Sequence, residues 1–411
     1  MLRLSVIVIG DEILLGQVTD TNSGAISRTF GPMGWTNLSV TTVGDNREAI
    51  SHAVREALES SDLVITTGGL GPTKDDITKG VLMEIFGGEL VHNPEVTENI
   101  HMVFNRRGLK MNELTELQAM VPSSCRVIQN RLGTAPIMWF ERQGRVLVSM
   151  PGVPFETEGM LPEVAARVKD RFNPDEELLH HSMMVTGITE SGLAEKLDAY
   201  EAQLPEHLHL AYLPTPGLIR LRLDGRGKDI SREFDSQLAR LKAELGSLMI
   251  YDGDATAAEI LLKLLKDKGL TAATAESCTG GNIAHEITLV PGSSESFLGG
   301  VVSYANEVKA NVLGVKMTDI ERDGAVSQSV VEQMALGAAR VTGADCAMAT
   351  SGIAGPGGGS AEKPVGTVWM AWAVKGTVSS HCFHLPGNRT RVINRTTTEA
   401  ILGLIKLIKE Q

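Results

Sequence analysis

Short, mainly apolar runs alternate with amphipathic segments along the first part of the chain. Residues 4–9, 62–67 and 145–149 each have the length of a buried strand, and glycine or proline follows each within two residues. Between the first two runs, residues 46–60 carry apolar side chains at helical spacing, namely Ile50, Ala53, Val54, Ala57 and Leu58. Strands that alternate with helices predict a parallel α/β sheet, which binds ligands at the carboxyl ends of its strands.

The pattern changes near residue 172. Amphipathic helices are predicted at 189–200 and 230–245, and residues 217–223 alternate like a strand with one wet face. This combination predicts a small α+β module that ends near residue 252.

The last segment again alternates strands and helices. Its first helix is predicted to begin at a capping box of Thr256 and Glu259 and to end at Gly269. A second capping box is predicted at Ser329 and Glu332. The other predicted elements are strands at 270–275, 300–304, 345–350 and 366–374 and helices at 282–289 and 396–409. The chain is therefore predicted to be an α/β protein with three domains, at 1–171, 172–252 and 253–411.

Composition narrows the range of partners. The formal net charge of −12 repels nucleic acids and anionic lipid surfaces, so we expect neither as a partner. No apolar run is long enough to cross a bilayer. The four cysteines form no C-x-x-C pair, which favours a reducing compartment over a disulfide framework or a zinc knuckle. We expect a cytoplasmic protein without a signal peptide.

The segment 275–281 carries the strongest chemical signal. It joins a predicted strand to a predicted helix, and the first N–H groups of a helix have no partner within the helix. Ser277 is therefore placed as a nucleophile, with backbone amides around Cys278–Gly280 as an oxyanion hole. The alternative is that Ser277 and Thr279 only cap the helix.

A serine nucleophile needs a base, and no histidine adjoins Ser277. A lysine can serve when its surroundings lower its pKa. The segment 303–309 ends a predicted strand and begins a helix, so Tyr304 and Lys309 are predicted to reach the same sheet edge as Ser277. The alternative is that Lys309 is an ordinary solvated lysine.

Two later segments could hold a ligand. The glycine-rich stretch 350–359 follows a buried strand, and its backbone can approach a ligand closely. Residues 387–391 and Arg395 form a cationic cluster, and the arginine fork suits a phosphate. The alternatives are a flexible surface loop and a solvated helix start.

The N-terminal segment offers a second candidate site. Asp11 and Glu12 follow the first strand, and adjacent carboxylates suit a hard cation such as magnesium. The Gly68–Gly71 turn suits a pyrophosphate, although it is neither a Walker A loop nor G-x-G-x-x-G. The alternative for Asp75 and Asp76 is that they begin a helix and complement its dipole.

Several motifs resemble those of full-length proteins of the CinA family. In the N-terminal half they are GDEILLGQVTDTN (10–22), TTGGLGPTKDDIT (66–78), QAMVP (118–122), GTAP (133–136) and PGVPFE (151–156). In the C-terminal third they are TAESCTGG (274–281), VPGSS (290–294), GGVVSYANEVKANVLGV (299–315), GAVS (324–327), SGIAGPGGGSAEKPVGTVW (351–369) and PGNR (386–389). The resemblance spans essentially the whole chain.

The resemblance implies a molybdopterin-binding-like α/β domain, a small KH-like domain and a C-terminal amidase domain. For the last, it implies hydrolysis of the carboxamide of nicotinamide mononucleotide without a cofactor, with Ser277 as nucleophile assisted by Tyr304 and Lys309. The implied substrate-binding residues are Cys278, Thr279, Gly280, Gly281, Thr350, Ser351, Gly352, Gly355, Arg389, Arg391 and Arg395. Gly357, Asn388 and Ile393 depart from residues common in the family.

For the N-terminal domain, the resemblance implies metal-dependent cleavage of ADP-ribose in at least some members. The implied nucleotide site consists of Gly68, Gly69, Leu70, Gly71, Pro72, Thr73 and Thr78. The candidate ligands of a divalent metal such as magnesium are Asp11, Glu12, Asp75 and Asp76. A non-catalytic protein that binds a nucleotide or pterin is the alternative. The family also implies a homo-oligomer, which we expect to be a dimer. RNA binding is not expected, because residues 172–250 contain no G-x-x-G clamp.

Overall fold

The computed structural model describes residues 2–73, 76–108, 113–172 and 177–410. By its internal contacts the chain forms two compact units, one of residues 1–180 with 225–234 and the other of residues 181–224 with 235–411. Both contain helices and sheets, which confirms the α/β class. The three-domain division and the KH-like character of the middle segment remain predictions.

The segment before residue 173 contains a six-stranded sheet and a separate two-stranded one. Its strands are β1 (Leu2–Ile9), β2 (Trp35–Val43), β3 (Leu63–Thr67), β4 (Leu90–His92), β5 (Met120–Pro122), β6 (Arg126–Ile128), β7 (Ile137–Arg142) and β8 (Arg145–Met150). Its helices are α1 (Asp11–Leu14), α2 (Asn22–Phe30), α3 (Arg47–Ser60), α4 (Thr78–Phe86), α5 (Pro94–Arg107), α6 (Glu113–Glu116) and α7 (Pro154–Phe172).

The large sheet has the order β2-β1-β3-β8-β7-β6. Its first four strands pair in parallel, as predicted, while β7 and β6 add an antiparallel extension. Strand periodicity sends alternate side chains of β1 into two helical layers. Val6 belongs to the core formed with α2 and α7, and Ile7 to the core formed with α3 and α4. The carboxyl ends of the parallel strands therefore meet at one edge.

The middle segment forms a four-stranded sheet with the order β10-β11-β9-β12. Its elements are β9 (Glu177–Val185), α8 (Glu190–Glu201), β10 (Leu208–Thr215), β11 (Leu218–Gly227), α9 (Ser231–Leu245) and β12 (Met249–Asp252). The two helices and the strand predicted here are confirmed. Met184 and Leu218 lie in the same hydrophobic cluster as residues of the C-terminal segment.

The C-terminal segment forms a five-stranded sheet with the order β14-β13-β15-β16-β17. Its strands are β13 (Ala272–Glu276), β14 (Phe297–Val302), β15 (Cys346–Gly352), β16 (Thr367–Val374) and β17 (Thr377–His384). Its helices are α10 (Ala257–Lys268), α11 (Asn282–Thr288), α12 (Asn306–Asn311), α13 (Met317–Asp323), α14 (Gln328–Thr342) and α15 (Arg389–Lys409). β14, β13 and β15 are mutually parallel, so their carboxyl ends share one edge.

Helices cover both faces of this sheet. Small side chains such as Ala275, Ala347 and Ala371 face α14, which packs close to the strands. On the other face, larger side chains such as Met348 and Trp372 pack against α10, α11 and α15. The central strands β13, β15 and β16 are thus buried, while the edge strands β14 and β17 are partly exposed. The exits of the parallel strands are the places where polar side chains can meet a ligand.

The helix starts confirm one predicted capping box and correct the other. Thr256 and Glu259 form the reciprocal capping box at α10, and Gly269 ends that helix in the left-handed conformation. The predicted box at Ser329 and Glu332 is wrong, because α14 begins after Ser327 and the hydroxyl of Ser329 donates to Asp323. The last helix begins at Arg389 rather than 396, because the Asn388 side chain accepts from the N–H of Arg391 at 2.9 Å.

None of the helices in the described ranges is long and apolar enough to span a membrane. Localisation in the cytoplasm and assembly into a homodimer remain predictions.

Candidate active site

Ser277 lies directly after β13, at the edge where the three parallel strands of the C-terminal sheet end. Its N–H donates to the carbonyl oxygen of Thr350 on β15 at 3.0 Å, which fixes the serine between two strand ends. The hydroxyls of Thr279 and Thr350 share a hydrogen bond of 2.8 Å. Ser277 is half-buried, so its side chain lies at the surface of the edge and not within the core.

Lys309 lies beside Ser277, as predicted. Its Nζ is 3.2 Å from Ser277 Oγ, and it donates to the carbonyl oxygens of Ser303 at 2.7 Å and Tyr304 at 3.3 Å. Only 1% of Lys309 is exposed, which excludes the solvated-lysine alternative.

Burial lowers the pKa of the Lys309 ammonium from its ordinary value, and the charge of the nearby Glu307 opposes this shift. The two carbonyl oxygens accept hydrogen bonds but bring no counter-charge. A desolvated amine is consequently more available as the neutral base.

The side chain of Tyr304 does not approach the serine or the lysine through its hydroxyl. It is 62% exposed, and its hydroxyl accepts a hydrogen bond of 3.0 Å from Nη2 of Arg389. Tyr304 contacts Lys309 through its backbone carbonyl instead. Positioning of the lysine by Tyr304 therefore has a structural basis in the main chain, whereas a relay through the phenol has none among these contacts.

The structure of the turn after Ser277 determines which backbone amides are available for the predicted oxyanion hole. Gly280 and Gly281 adopt positive φ angles of 63° and 99°, and α11 begins only at Asn282. The first N–H groups of α11 are not free, because the buried carboxylate of Glu276 accepts from Ala284 at 2.9 Å and from Gly281 and Ile283 at 3.0 Å.

The amides that remain lie before the helix. Gly280 donates to the carbonyl oxygen of Ser277 at 3.2 Å. Within the described turn, the N–H groups of Cys278 and Thr279 are the ones that donate to no other residue. Burial raises the pKa of the Cys278 thiol to about 12, so the thiol stays protonated and does not compete with Ser277 as a nucleophile.

The glycine-rich loop contributes unevenly. Gly352 is the last residue of β15, and the carbonyl oxygen of Gly355 accepts from Nη1 of Arg389 at 2.8 Å. The buried hydroxyl of Ser351 donates to the carbonyl oxygen of Ala325 at 2.7 Å and is therefore engaged within the protein. The loop thus offers backbone groups rather than the Ser351 side chain.

The three predicted phosphate-binding arginines do not form one cluster. Arg389 reaches both Tyr304 and Gly355 beside the Ser277 edge. Arg391 is exposed, with its side chain against Gly387. Nε of Arg395 is 3.8 Å from the carboxylate of Glu399, which lies beside Gly217. Of the three, Arg389 is the one that contacts other residues of the predicted site.

The N-terminal candidate site is a cleft of about 570 Å³ at the carboxyl ends of β1, β3 and β8. The turn from Gly68 to Pro72 lines it, as predicted for a nucleotide site. Gly68 is required there, because a Cβ atom on it would lie 2.1 Å from the carbonyl oxygen of Ile9. Thr78 is buried behind this turn, with its hydroxyl against Gly69.

Of the predicted metal ligands, Glu12 and Asp76 line the cleft, whereas Asp11 does not. Asp11 is exposed and its carboxylate accepts from the N–H of Asp45 at 3.2 Å, while Glu12 lines the cleft. Asp76 closes the glycine turn, accepting from the N–H groups of Gly71 at 2.7 Å and Thr73 at 2.9 Å.

Asp75 lies outside the described residues. Among those described, no group of three histidine, cysteine or acidic side chains could hold a metal ion. Binding of a divalent metal at this cleft remains a prediction.

Three buried polar residues of these sites were missed in the sequence. Glu276 is fully buried, and Asn22 and Gln118 are 6% and 3% exposed. Asn22 Oδ1 and Gln118 Oε1 lack a hydrogen-bond partner, and both residues line the N-terminal cleft. All three lie within the motifs TAESCTGG, TDTN and QAMVP, but a sequence does not reveal that such side chains are buried.

Comparison with known proteins shows the family of the chain. A family model described as the CinA C-terminal domain matches residues 254–408, and one described as a probable molybdopterin binding domain matches residues 5–170. A CinA-like protein of Cytophaga hutchinsonii is 42% identical over 410 residues, covering 98% of this chain and 96% of its own. The chain belongs to the CinA family.

Two further comparisons extend the likeness. A putative competence-damage inducible protein of Caldicellulosiruptor saccharolyticus is 37% identical, and the match covers 98% of both chains. The crystal structure of competence/damage inducible protein CihA from Agrobacterium tumefaciens shares 42% identity, covering 37% of this chain and 93% of its own, with a TM-score of 0.36. The CinA assignment therefore rests on full-length sequence relatives.

Proposed function

We propose that the C-terminal domain of this CinA protein hydrolyses the carboxamide of nicotinamide mononucleotide to nicotinic acid mononucleotide and ammonia. The observation that carries the proposal is the contact of Ser277 Oγ with the buried Nζ of Lys309 at 3.2 Å. A desolvated lysine next to a serine hydroxyl at a strand exit is the arrangement that nucleophilic serine chemistry needs when histidine is absent.

In the proposed reaction, neutral Lys309 accepts the hydroxyl proton as Ser277 Oγ forms a bond to the carboxamide carbon. The N–H groups of Cys278 and Thr279 donate to the resulting oxyanion, and each such donor is typically worth about 2.7–4 kcal/mol in the barrier. Lys309 then returns the proton to the nitrogen as the C–N bond breaks and ammonia leaves. Water attacks the acyl-enzyme with Lys309 as base, which releases the acid and restores Ser277.

The substrate's phosphate would lie near Arg389, and its ring near the backbone of the 350–355 loop. Support comes from the guanidinium of Arg389, which lies beside Gly355 and the hydroxyl of Tyr304. Arginine can donate several N–H groups, so it can keep these contacts and still bind a phosphate. Arg391 and Arg395 are weaker candidates, since Arg395 already faces Glu399.

The test is an assay of the purified full-length chain for ammonia and nicotinic acid mononucleotide. Wild type should release both in equal amounts, and Ser277→Ala should lose at least about 10³-fold in kcat, as serine nucleophiles do. Ser293→Ala is the matched control, because Ser293 lies in a turn at the end of β13 opposite to Ser277. Full turnover by Ser277→Ala would end the nucleophile assignment. A wild type that binds the nucleotide without releasing ammonia would favour the non-catalytic alternative.

A second function is proposed for the N-terminal cleft, which we infer binds the hydrogen-bond-donating part of a nucleotide or pterin. The unpartnered oxygens of Asn22 and Gln118 support this, because buried acceptors without a partner are costly unless a ligand satisfies them. No lysine, arginine or histidine side chain is among the described residues that line the cleft, while Glu12, Asp20 and Glu156 are. This charge disfavours a bare phosphate.

Metal-dependent cleavage of ADP-ribose remains a prediction. Titration of the full chain with ADP-ribose, with and without magnesium, separates cleavage from binding. Formation of AMP only with magnesium would support cleavage, and binding without AMP would support a binding module.

A further inference from the structure

Glu276 is a buried carboxylate at the strand end that carries the proposed nucleophile. It is fully buried, and no cationic side chain of the described residues forms an ion pair with it. Its partners are the N–H groups of Gly281, Ile283 and Ala284, at 2.9–3.0 Å. A buried charge is tolerated only when it is well hydrogen-bonded, so the carboxylate and the start of α11 fix each other.

The main chain of the same residue reaches the lysine. The carbonyl oxygen of Glu276 accepts from the N–H of Ser303 at 2.8 Å, and the carbonyl oxygen of Ser303 accepts from Lys309 Nζ at 2.7 Å. Glu276 therefore holds both sides of the Ser277–Lys309 contact. Its side chain fixes the turn that follows the serine, and its backbone fixes the acceptor that orients the amine.

The carboxylate also decides which amides face the substrate. With Gly281, Ile283 and Ala284 bonded to Glu276, the described amides of the turn that remain are those of Cys278 and Thr279. A helix start without this carboxylate would present its own N–H groups instead, at a different position relative to Ser277. Placement of an oxyanion hole relative to the nucleophile is worth a large factor in rate.

We infer that Glu276 is a positioning residue, whose carboxylate holds the Ser277–Gly281 turn so that Ser277 stays within reach of Lys309 and the Cys278 and Thr279 amides are left to the oxyanion. The inference deepens the proposed function. Glu276 acts through the turn and through Ser303 and does not itself touch the substrate.

Glu276→Gln is the most informative variant. It keeps the shape of the side chain, but it removes the charge and replaces one accepting oxygen with an N–H₂ group that faces backbone N–H donors. Misplacement of a reacting group by about 1 Å can lower the reaction rate by about 10²-fold. We therefore expect kcat to fall by about 10- to 100-fold with little change in KM. The midpoint of the pH profile of kcat should not shift, while the maximal value of kcat falls.

The matched control is Glu259→Gln. Glu259 makes the equivalent contact at the start of α10, where its carboxylate accepts from the N–H of Thr256 at 2.6 Å, and it is exposed. In this variant the turnover rate, and the rate at which a fluorophosphonate probe labels Ser277, should stay within about 2-fold of wild type. It loses a surface helix cap, and the Ser277–Gly281 turn is unchanged. Ile405→Val, a core variant, gives a second comparison for loss of stability alone.

Two readouts separate this inference from the proposed substrate. The first is the rate at which a fluorophosphonate probe labels Ser277 in the full-length chain, with Ser277→Ala as the blank, and it needs no knowledge of the substrate. The second is ammonia release from nicotinamide mononucleotide. If wild type is labelled at Ser277 but releases no ammonia from nicotinamide mononucleotide, the proposed substrate is overturned and the role of Glu276 is not.

The outcomes are distinct. Slow labelling by Glu276→Gln, measured well below its melting temperature and compared with Ile405→Val of similar stability, supports positioning. Labelling as fast as in wild type overturns it, as does an equal loss in Ile405→Val. A wild type that does not label at Ser277 overturns the inference together with the nucleophile assignment.

Discussion

Lys309 Nζ lies 3.2 Å from Ser277 Oγ, although the two residues are 32 positions apart in the chain and belong to neighbouring strand–helix connections. The lysine is buried and is held by two backbone carbonyl oxygens. The contact therefore joins a desolvated amine to a half-exposed hydroxyl, and its consequences can be tested separately for protonation, phosphate binding and stability.

The protonation state of Lys309 should control the pH dependence of turnover. Burial lowers the pKa of Lys309 from the ordinary value of 10.5, so the neutral amine, and with it kcat/KM, should increase with pH through a midpoint below 10.5. In Lys309→Arg the guanidinium stays protonated at every accessible pH, so this variant should be inactive across the pH range tested. A pH–rate profile of both proteins is the measurement, and a wild-type midpoint at or above 10.5 would contradict the role of burial.

The same lysine should make the free energy of unfolding depend on pH. Because the pKa of Lys309 is lower in the folded than in the unfolded chain, the unfolded chain binds more protons between the two values, and stability should rise with pH in that window. Lys309→Met should remove this slope. Urea unfolding of both proteins at several pH values measures it, and identical slopes would show that the amine is not desolvated.

Arg389 should contribute to binding more than to chemistry. Its guanidinium lies beside Tyr304 and Gly355, whereas Arg395 faces Glu399. Arg389→Ala should therefore raise KM for nicotinamide mononucleotide more than it lowers kcat. Arg395→Ala serves as the comparison and should change KM less. If Arg395→Ala raises KM more than Arg389→Ala does, the phosphate contact belongs to Arg395 and not to Arg389.

Tyr304→Phe distinguishes two roles for the tyrosine. The hydroxyl contacts Arg389, while Lys309 is held by the backbone of the same residue, which the substitution retains. Turnover should therefore stay within about 10-fold of wild type, since only a side-chain hydrogen bond worth roughly 0.5–1.5 kcal/mol is lost. A fall in kcat of a hundredfold or more, typical of a lost proton-transfer group, would show that the phenol acts on the serine or lysine after all.

The acceptor oxygen of Asn22 should be needed for ligand binding in the N-terminal cleft. Asn22→Leu removes the unpartnered Oδ1, together with Nδ2 and its hydrogen bonds to Thr67 and Gly152. Binding of ADP-ribose should weaken by about 10-fold or more, the cost of at least one lost hydrogen bond. Calorimetric titration of the full-length wild-type and variant chains with ADP-ribose, without magnesium, measures it. Asn37→Ala is the control, because Asn37 is exposed on β2 and donates to Ser27. Unchanged affinity in Asn22→Leu would exclude this contact.

The amino-acid sequence by itself determined the α/β class, the positions of about half of the strands and helices, and the segments that carry the chemistry. Its local patterns were sufficient for this because buried strands, capping residues and glycine turns are specified by neighbouring residues, as at Thr256, Gly269 and the exit of β13. It also placed Ser277 and Lys309 at one sheet edge, since parallel strands end together.

The tertiary structure decided the parts that depend on burial and on side-chain direction. Glu276 engages the amides at the start of α11, and of the predicted oxyanion-hole amides those of Cys278 and Thr279 remain. The Tyr304 hydroxyl contacts Arg389 and not the lysine. The three arginines separate because a helix turns successive side chains toward different neighbours. Desolvation of Lys309 and of Asn22 arises only when distant segments pack around them, so no local pattern of residues can encode it.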